Sequence, residues 1–534
     1  MITKLSNLKI KIADLPEDVA AADAGLRPFI AAMLELPEEQ IVDYTIMNKS
    51  IDARRGMPAL IYTVAVETAE AVEAPGCAAM SPEEFSALRN PELELADAPD
   101  GLRNPLIVGT GPAGLMAAYV LAAAGCEPVI IDRGFEVDQR INDIETFHTS
   151  RELNEESNYL IGEGGAGTFS DGKLYSRLRD PRGRFVLKTF VESGAPQEIL
   201  YLKRPHIGSD ILPGMVKDLR QKIIALGGRF IFGTAVETVK AADAKCVGVV
   251  TKSGETLEAP AVMIGHGIGA RELNRSLIDA GLEHQLKGFQ IGCRIEHPQE
   301  FIDRQQYRME ERPPLLGAAE YNLVCHPKEK PGVTGVSTFC MCPGGEIVAA
   351  AARSGRLSTN GMSRYCRGGK FANSCLIVTL SPETFASVDV AYGLLETIEQ
   401  RVFEAGGSDY SVPAQDAAAF VRGEAGLADP ESSYRFGLRP GRLDELMPDD
   451  AARSIRTALR FFEFKFPGFM RQGKLVGAET CISSPVRFVR HPETLESSLQ
   501  KLYIAGEGAG YAGGIMSAAI DGIRMAEQML KGSY

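Results

Sequence analysis

The chain reads as an α/β protein built on a Rossmann-like parallel sheet, with an α+β domain inserted into it and a small α/β domain ahead of it. Two glycine-rich turns carry that reading, together with a long interval between them that has no dinucleotide signature. The first turn lies in "PLIVGTGPAGLMAAYVLAAAGCEPVIIDRG", residues 105–134, and the second in "LYIAGEGAGYAGGIMSAAIDGIRMAE", residues 502–527. In both, a short apolar strand runs into bare backbone and then into a helix. A packed core calls for bulk at such a place, whereas a bound phosphate or cofactor ring calls for exposed amides.

From the N-terminus, residues 2–12 alternate as a strand. Leu26, Ile30, Met33 and Leu34 then recur at helical spacing, with Pro28 in the first turn of that helix. "IVDYTIMNKSI" and "LIYTVAVET" read as two further strands. Residues 1–70 are therefore expected to form a small α/β domain, with a ferredoxin-like arrangement as one option. Residues 71–103 turn acidic and polar, with Pro75, Pro91 and Pro99, and read as a linker carrying one short helix at 81–88.

At Asn104 the texture changes to strand, glycine turn, helix, strand. Gly109, Gly111 and Gly114 make G-x-G-x-x-G, and the helix starts at Pro112 and Ala113. Gly109 permits the tight turn, Gly111 lets backbone approach a pyrophosphate, and Gly114 lets the helix pack on the strand. Asp132 ends the second strand about 20 residues on, the spacing at which an acid meets a ribose hydroxyl, with Arg133 beside it. Residues 212–226 are expected as a helix, followed by strands and a hairpin turn at "SGE". The sheet is expected to occupy 104–280 and 468–534, with 281–467 as a substrate or cap domain containing a long amphipathic helix near 385–404.

The composition narrows the classes. With 57 Lys+Arg against 70 Asp+Glu, the net charge is −13, which disfavours nonspecific nucleic-acid binding. No apolar run is long enough to span a membrane, and the first residues do not form a secretory signal. Ten cysteines in 534 residues are not a disulfide framework, so a reducing, cytoplasmic setting is expected. The seven histidines show no metal-ligand spacing, and no metal is expected.

Several separated blocks identify a resemblance. They are "KSIDAR" at 49–54, "GEGGAGTFSDGKLYSR" at 162–177, "PHIGSD" at 205–210 and "GFQIGCRIEHPQ" at 288–299. "FCMCPGGEIVAAAARSGRLSTNGMS" at 339–363 and "ETCISSPVRFVR" at 479–490 follow. In this order, with the C-terminal glycine-acid segment, they resemble the uncharacterised bacterial FAD-dependent dehydrogenase family, within the glutathione-reductase-fold oxidoreductases. The resemblance implies FAD as cofactor and hydride transfer between flavin N5 and a small organic substrate. It places Gly164, Gly165, Thr168 and Ser170 beside flavin or phosphate, and the backbone of Val236 near adenine. Gly506, Glu507, Gly513, Gly514 and Ile515 fall where the family holds the ribityl and pyrophosphate. The block at 479 departs from the family's pattern, with Cys481 and Ile482 in place of Arg and Thr.

In the inserted domain, Arg294 and His297 follow an apolar strand. Arg294 and Glu296 project to one side and His297 to the other. Arg294, His297 and Asn360 are the candidate catalytic residues, suited to an anionic substrate or to steadying reduced flavin. Cys340 and Cys342 are read as pocket-lining or buried thiols rather than a redox pair. A second dinucleotide unit for NAD(P)H is not found, which leaves a nicotinamide as a transient donor. Two alternatives stand beside this reading. One is a nicotinamide dehydrogenase without flavin. The other is a flavoprotein relay docking a protein partner through its N-terminal domain, with "KSIDARR" at 49–55 as the docking edge.

Overall fold

The computed structural model describes residues 1–54, 57–70, 72, 74–175, 180–327 and 332–534. Of the segments read above, residue 55 of the proposed docking edge, residues 71 and 73 of the expected linker and residues 176–177 of the 162–177 block lie outside these.

The N-terminal region is a four-stranded antiparallel sheet ordered Ile41–Asp52, Ala59–Thr68, Ile2–Lys11, Cys77–Met80. Alternation on Ile2–Lys11 buries Leu5, Leu8 and Ile10 against Leu26, Ile30 and Leu34 of the helix Arg27–Leu34. Order and orientation match a ferredoxin-like sheet, but among the described residues no helix lies between Ala59–Thr68 and Cys77–Met80. That strand falls in the stretch expected to be linker. It pairs residues 77–80 with Leu5 back to Ile2, so the N-terminal unit extends past residue 70. The helix after it, Pro82–Arg89, starts at a capping box in which Ser81 and Glu84 satisfy each other's backbone amides.

The central sheet is parallel, ordered Leu502–Ile504, Val262–Ile264, Leu106–Val108, Val129–Ile131, Arg229–Ile231. Nearly every residue of its inner strands is apolar and buried, as a sheet covered on both faces requires. The chain's last strand returns beside Val262–Ile264, some 240 residues after it in sequence, which joins the two glycine turns at one end of one sheet. A three-stranded antiparallel layer, Val236–Ala242, Lys245–Thr251 and Thr256–Glu258, covers it.

The inserted region is a seven-stranded sheet, ordered 324–325, 336–342, 371–380, 289–298, 474–479, 412–416, 438–440. The helices Val388–Ala405 and Asp449–Lys465 pack on it through Leu395, Ile398, Val402, Ile455, Leu459 and Phe462. Lys474–Glu479 sits inside this sheet, paired with Phe289–Pro298 and Val412–Asp416, although it lies beyond the expected cap boundary at Pro467. Among the described residues, no helix is long and apolar enough to cross a membrane.

The N-terminal sheet joins the rest through its own backbone. Lys49 N–H donates to Tyr201 O at 2.8 Å and Lys203 N–H donates to Lys49 O at 3.0 Å. The Lys49 ammonium is buried on Asp23 at 2.7 Å, and Tyr62 and Tyr201 hydroxyls complete that carboxylate's shell. The edge at Lys49 is thus occupied by the chain itself.

Candidate functional site

The two glycine turns use their glycines in different ways. A Cβ on Gly109 would lie 2.8 Å from Gly265 O, and one on Gly114 would lie 1.8 Å from Gly109 O. These two positions are filled by neighbouring backbone, and Gly109 also needs its φ of 99°. Gly111 differs. The nearest atom to its Cβ position is Gly265 O at 4.0 Å, and it opens onto a cavity of about 1090 Å³. The first amides of the helix Pro112–Ala123 follow directly, and Pro112 costs no donor at the first helical position.

The C-terminal turn repeats the logic. Gly506 N–H donates to Asp521 Oδ2 at 2.8 Å, and Asp521 is itself held by Arg490 at 2.9 Å. A Cβ on Gly513 or Gly514 would meet nothing within 4 Å, and both line the cavity just before the helix Ile515–Lys531. The two helices are locked at Gly522, where a Cβ would stand 2.0 Å from Ala113 O. Two helix N-termini therefore converge on one space walled by bare backbone at Gly111, Gly513 and Gly514. That cradle fits a pyrophosphate and its flanking groups, and FAD fits the residues present.

Other expected contacts divide. Gly165, Ser170, Val236, Glu507 and Ile515 line the same cavity. Asp132 lines it too, with both oxygens engaged: Thr110 N–H and Thr110 Oγ1–H donate to Oδ2, and Gly134 N–H to Oδ1. It stiffens the first turn from the end of the second strand. Arg133 stands at the wall paired with Glu156 at 2.6 Å. Gly114, Gly164 and Thr168 are corrections to the expected cofactor contacts, since none of them faces the cavity. Gly114 packs on the strand, and a Cβ on Gly164 would strike Thr168 Oγ1 at 2.0 Å. That hydroxyl donates to Glu163 O at 2.9 Å. Gly164 and Thr168 shape the turn Gly165–Gly167 from behind.

That turn is held by a group the sequence did not announce. Arg140 is fully buried and donates to Asn158 O, Glu163 O and Gly165 O, each at 2.7 Å. Burial pulls its guanidinium down to about 9. Glu163 pairs with Arg220 at 2.7 Å just beside it.

The cap domain supplies the opposite wall. Arg294, 0% exposed, is its hub. Its Nε lies 2.6 Å from Glu479 Oε2, Nη2 donates to Asn360 Oδ1 at 2.7 Å, and Nη1 donates to Cys340 O at 2.9 Å. Asn360, Glu479 and Cys340 line the cavity while Arg294 stands behind them. Arg294 is thus a positioning residue rather than a substrate contact. Burial pushes the Glu479 carboxyl up to about 7 against the pull of Arg294, and burial likewise pushes Glu507 up to about 7. Both are poised to exchange a proton near neutrality. His297 is corrected: strand alternation sends it away from the cavity into a cluster of Phe301, Tyr321 and Phe469, where Nε2 meets Phe469 O at 2.7 Å. Burial pulls its imidazole down to about 4, so it stays neutral.

Lys173 enters between the walls, paired with Asp171 at 2.9 Å and 3.7 Å from Cys342 Sγ. Cys481 and Ile482, the two departures in the 479 block, both line the cavity, and Cys481 sits 3.8 Å from Arg271, which is itself held by Glu399 at 2.6 Å. His266 also lines the space, buried and bonded to Asn274 at 2.5 Å. Among the described residues no group of three or more metal-ligating side chains stands together.

Comparison with known proteins agrees with this geometry. Residues 104–139 match the family described as FAD binding domain, and residues 288–481 match FAD-dependent protein, C-terminal domain-like. Residues 2–67 match a domain of unknown function. A Clostridium beijerinckii protein named "Uncharacterized protein" is 40% identical over 432 residues, covering 80% of each chain. Among solved structures, glycine oxidase from Geobacillus kaustophilus is 12% identical with a TM-score of 0.34, over 81% of this chain and 95% of that one. Fructosyl amine:oxygen oxidoreductase (Amadoriase I) from Aspergillus fumigatus is 13% identical with a TM-score of 0.33, over 82% and 88%. With its cradle, its cap wall and this relative, the chain belongs to a bacterial family of FAD-dependent proteins, homologous to the FAD-dependent oxidoreductases.

Proposed function

We propose that the protein moves a hydride between the flavin N5 of bound FAD and a small organic substrate seated against the wall of Asn360, Glu479 and Cys340. One observation carries this reading: a single cavity of about 1090 Å³ reaches from the glycine turns to that polar wall. It lies just above the ~300–1,000 Å³ range of ordinary ligand pockets, room for a dinucleotide and a second molecule. FAD, when bound, supplies the two-electron chemistry. The chain's part is to hold and to tune. Gly111, Ala113, Gly514 and Ile515 offer backbone amides, Gly513 leaves open space beside them, and Asp132 and Glu507 offer acceptors for cofactor hydroxyls. Arg294 fixes the amide of Asn360 and the carboxyl of Glu479 toward the substrate, and Glu479 gives or takes the accompanying proton. Of the cations on the cavity lining, Lys173 and Arg367 are paired with Asp171, and Arg204 and Arg367 with Glu320, so only part of that charge, with Lys203, is left to meet an anionic substrate.

The glutathione-reductase type is the finer fold assignment we favour. The five-stranded parallel sheet capped by a three-stranded antiparallel layer supports it, as does a cap inserted between the two cofactor segments. A cytoplasmic setting fits ten cysteines that all stand as free thiols. NAD(P)H is retained as a transient donor. Docking of a protein partner at residues 49–55 is the weaker reading, because Lys49 already pairs with Tyr201 and Lys203.

An anaerobic titration with NADPH and then NADH, followed between ~350 and 550 nm, tests the donor. Bleaching within seconds marks a nicotinamide-fed reductase, and a spectrum that holds until an organic substrate is added marks a dehydrogenase. Purified protein with no flavin bands, and none after incubation with FAD, would refute the proposal.

A further inference from the structure

Three large apolar side chains that water reaches stand on the lining of the cavity: Val324 at 44% exposed, Phe339 at 37% and Tyr175 at 61%. Val324 pairs with Ser337 across the strands Val324–Cys325 and Val336–Cys342, and Phe339 follows two residues on. Cross-strand partners and every second residue share a face, so this edge of the cap sheet turns Val324 and Phe339 the same way. Tyr175 stands two residues beyond Lys173, which bridges to His206. A lone exposed apolar side chain is ordinary, but three on one concave wall make a patch that something covers.

Inward of this rim lies a charged belt. Asp171 is paired with Lys173 at 2.9 Å and with Arg367 at 2.6 Å, and Glu320 is paired with Arg367 at 2.7 Å and with Arg204 at 3.0 Å. All five line the cavity, and Asp171 and Arg367 are buried there. Three cations thus share two carboxylates, and the belt keeps one positive charge in surplus. Lys173 reaches furthest in. Its Nζ is 3.7 Å from Cys342 Sγ, which lies 3.3 Å from Cys340 O, the carbonyl that Arg294 holds beside Asn360. Asn360 adds a donor to the same region. Both of its hydrogen bonds, from Arg294 Nη2 and Gly361 N–H, end on Oδ1, so among the described residues its Nδ2 has no protein partner.

We propose that the substrate of this cavity is an amphiphilic acid, its carboxylate inward on the belt of Lys173, Arg367 and Arg204, its apolar chain outward over Val324, Phe339 and Tyr175. The proposal rests on the reading of the cap wall as the substrate side. The shared carboxylates hold the three cations in place, so the acid meets a preformed site and orders little on binding. The surplus charge and the Asn360 amide recognise the carboxylate, and the rim recognises the chain by the apolar area it takes out of water. Neither half suffices alone: a short acid leaves the rim bare, and a neutral chain leaves the charge unmet.

Calorimetric titration of FAD-loaded protein with acetate, butanoate, hexanoate and hexanamide tests this. Affinity should rise about threefold for each CH2 added from acetate to hexanoate, and hexanamide should bind about tenfold more weakly than hexanoate. Val324→Ser and Phe339→Ser should flatten the rise with chain length and leave acetate where it was. Lys173→Met and Arg204→Met each leave two cations on two carboxylates, so either should abolish the preference for hexanoate over hexanamide. Arg204, with its side chain 57% exposed, can be replaced with the flavin bands and the melting temperature retained. Equal affinity for acetate and hexanoate, hexanamide bound as tightly as hexanoate, or a chain-length dependence that survives both rim variants would each overturn the proposal. Acids that bind as expected to a protein whose flavin no donor or substrate reduces would keep the acid site and sink the hydride transfer. Flavin reduced by NADPH on a protein that binds acetate, hexanoate and hexanamide alike would do the reverse.

Discussion

The two walls of the cavity are built from opposite materials. The cradle is backbone: Gly111, Gly513 and Gly514 leave the space where a Cβ would stand to other backbone atoms or to nothing at all. The cap wall is mostly side chain: a buried guanidinium at Arg294 organises a carboxyl, an amide and the carbonyl of Cys340, drawn from three other strands. A backbone cradle recognises what many cofactors share, phosphates and hydroxyls, and does so by local chain geometry. A side-chain wall recognises what one substrate has, and long-range pairing assembles it. The difference separates a site that binds from a site that chooses.

The sharpest way to break the comparison is within the cradle itself. Gly114→Val should leave no folded protein, because even a Cβ there would stand 1.8 Å from Gly109 O. Gly111→Val should fold, since its φ of −68° is ordinary and no atom lies nearer than 4.0 Å to its Cβ position, yet it should lose the flavin. Circular dichroism and the ~450 nm flavin band on the two purified proteins check this. A flavin-loaded Gly111→Val would mean the cradle does not hold the cofactor.

On the cap wall the largest effect belongs to Arg294. Arg294→Met strands Glu479, 2% exposed, without its cation. Removing one partner of a buried pair costs ~3–5 kcal/mol, so the melting temperature should fall by many degrees. Arg294→Met with Glu479→Leu should regain much of it, because an apolar pair of similar volume avoids both desolvation costs. Flavin content should survive in the double variant while turnover does not, and that separation would sharpen the contrast between binding and choosing. Equal loss of flavin would erase it.

The cradle was legible in the sequence because its signal is local. G-x-G-x-x-G after an apolar strand, with Asp132 at the end of the next strand, states its geometry within 30 residues. The C-terminal block does the same from Gly506 to Gly514. Even there the neighbouring glycines at 164 and 165 looked alike, although Gly165 faces the cavity and Gly164 only packs, since a glycine leaves the same mark in both cases. The cap wall was legible in part. Arg294 and Asn360 were singled out, but not their joining, because Lys474–Glu479 enters the sheet from beyond the expected boundary and brings Glu479 to Arg294 from 185 positions away. His297 looked equal to Arg294 in sequence. Only the face of the strand distinguishes them, and the aromatic cluster that claims His297 comes from Phe301, Tyr321 and Phe469. Arg140 gave no signal at all, lying on an unremarkable polar helix.

A smaller effect lies in the pH dependence. Glu507 is held up to about 7 by burial, from an ordinary 4.5. Between those values the native state keeps a proton that the unfolded chain releases, so stability falls as pH rises from about 4.5 to about 7 and then levels. Glu507→Gln should remove part of that decline, and Glu479, shifted the same way, should carry another part. Thermal melts of the wild type and the variant at pH 5 and pH 8 check it. A wild type that gains stability across that interval while the variant does not would show Glu507 ionised in the fold, and the cradle would then carry a fixed negative charge.

The smallest effect tests why the cap wall is sensitive. Arg103 and Glu127, next to the first cradle strand, form a bidentate pair at 3.0–3.1 Å, with the chemistry of Arg294 and Glu479. Their side chains are 74% and 43% exposed, where water competes for each charge and salt screens them. Arg103→Met should therefore cost ~0–1 kcal/mol, within a degree or two of the wild-type melting temperature, with flavin content unchanged. If it cost as much as Arg294→Met, pairing itself rather than the desolvation of an orphaned carboxylate would set the penalty. The small loss expected here, set beside the large one expected there, assigns the wall's sensitivity to burial. An apolar enclosure that makes Arg294 indispensable to the fold is the same one that raises Glu479 to a pKa useful for moving a proton.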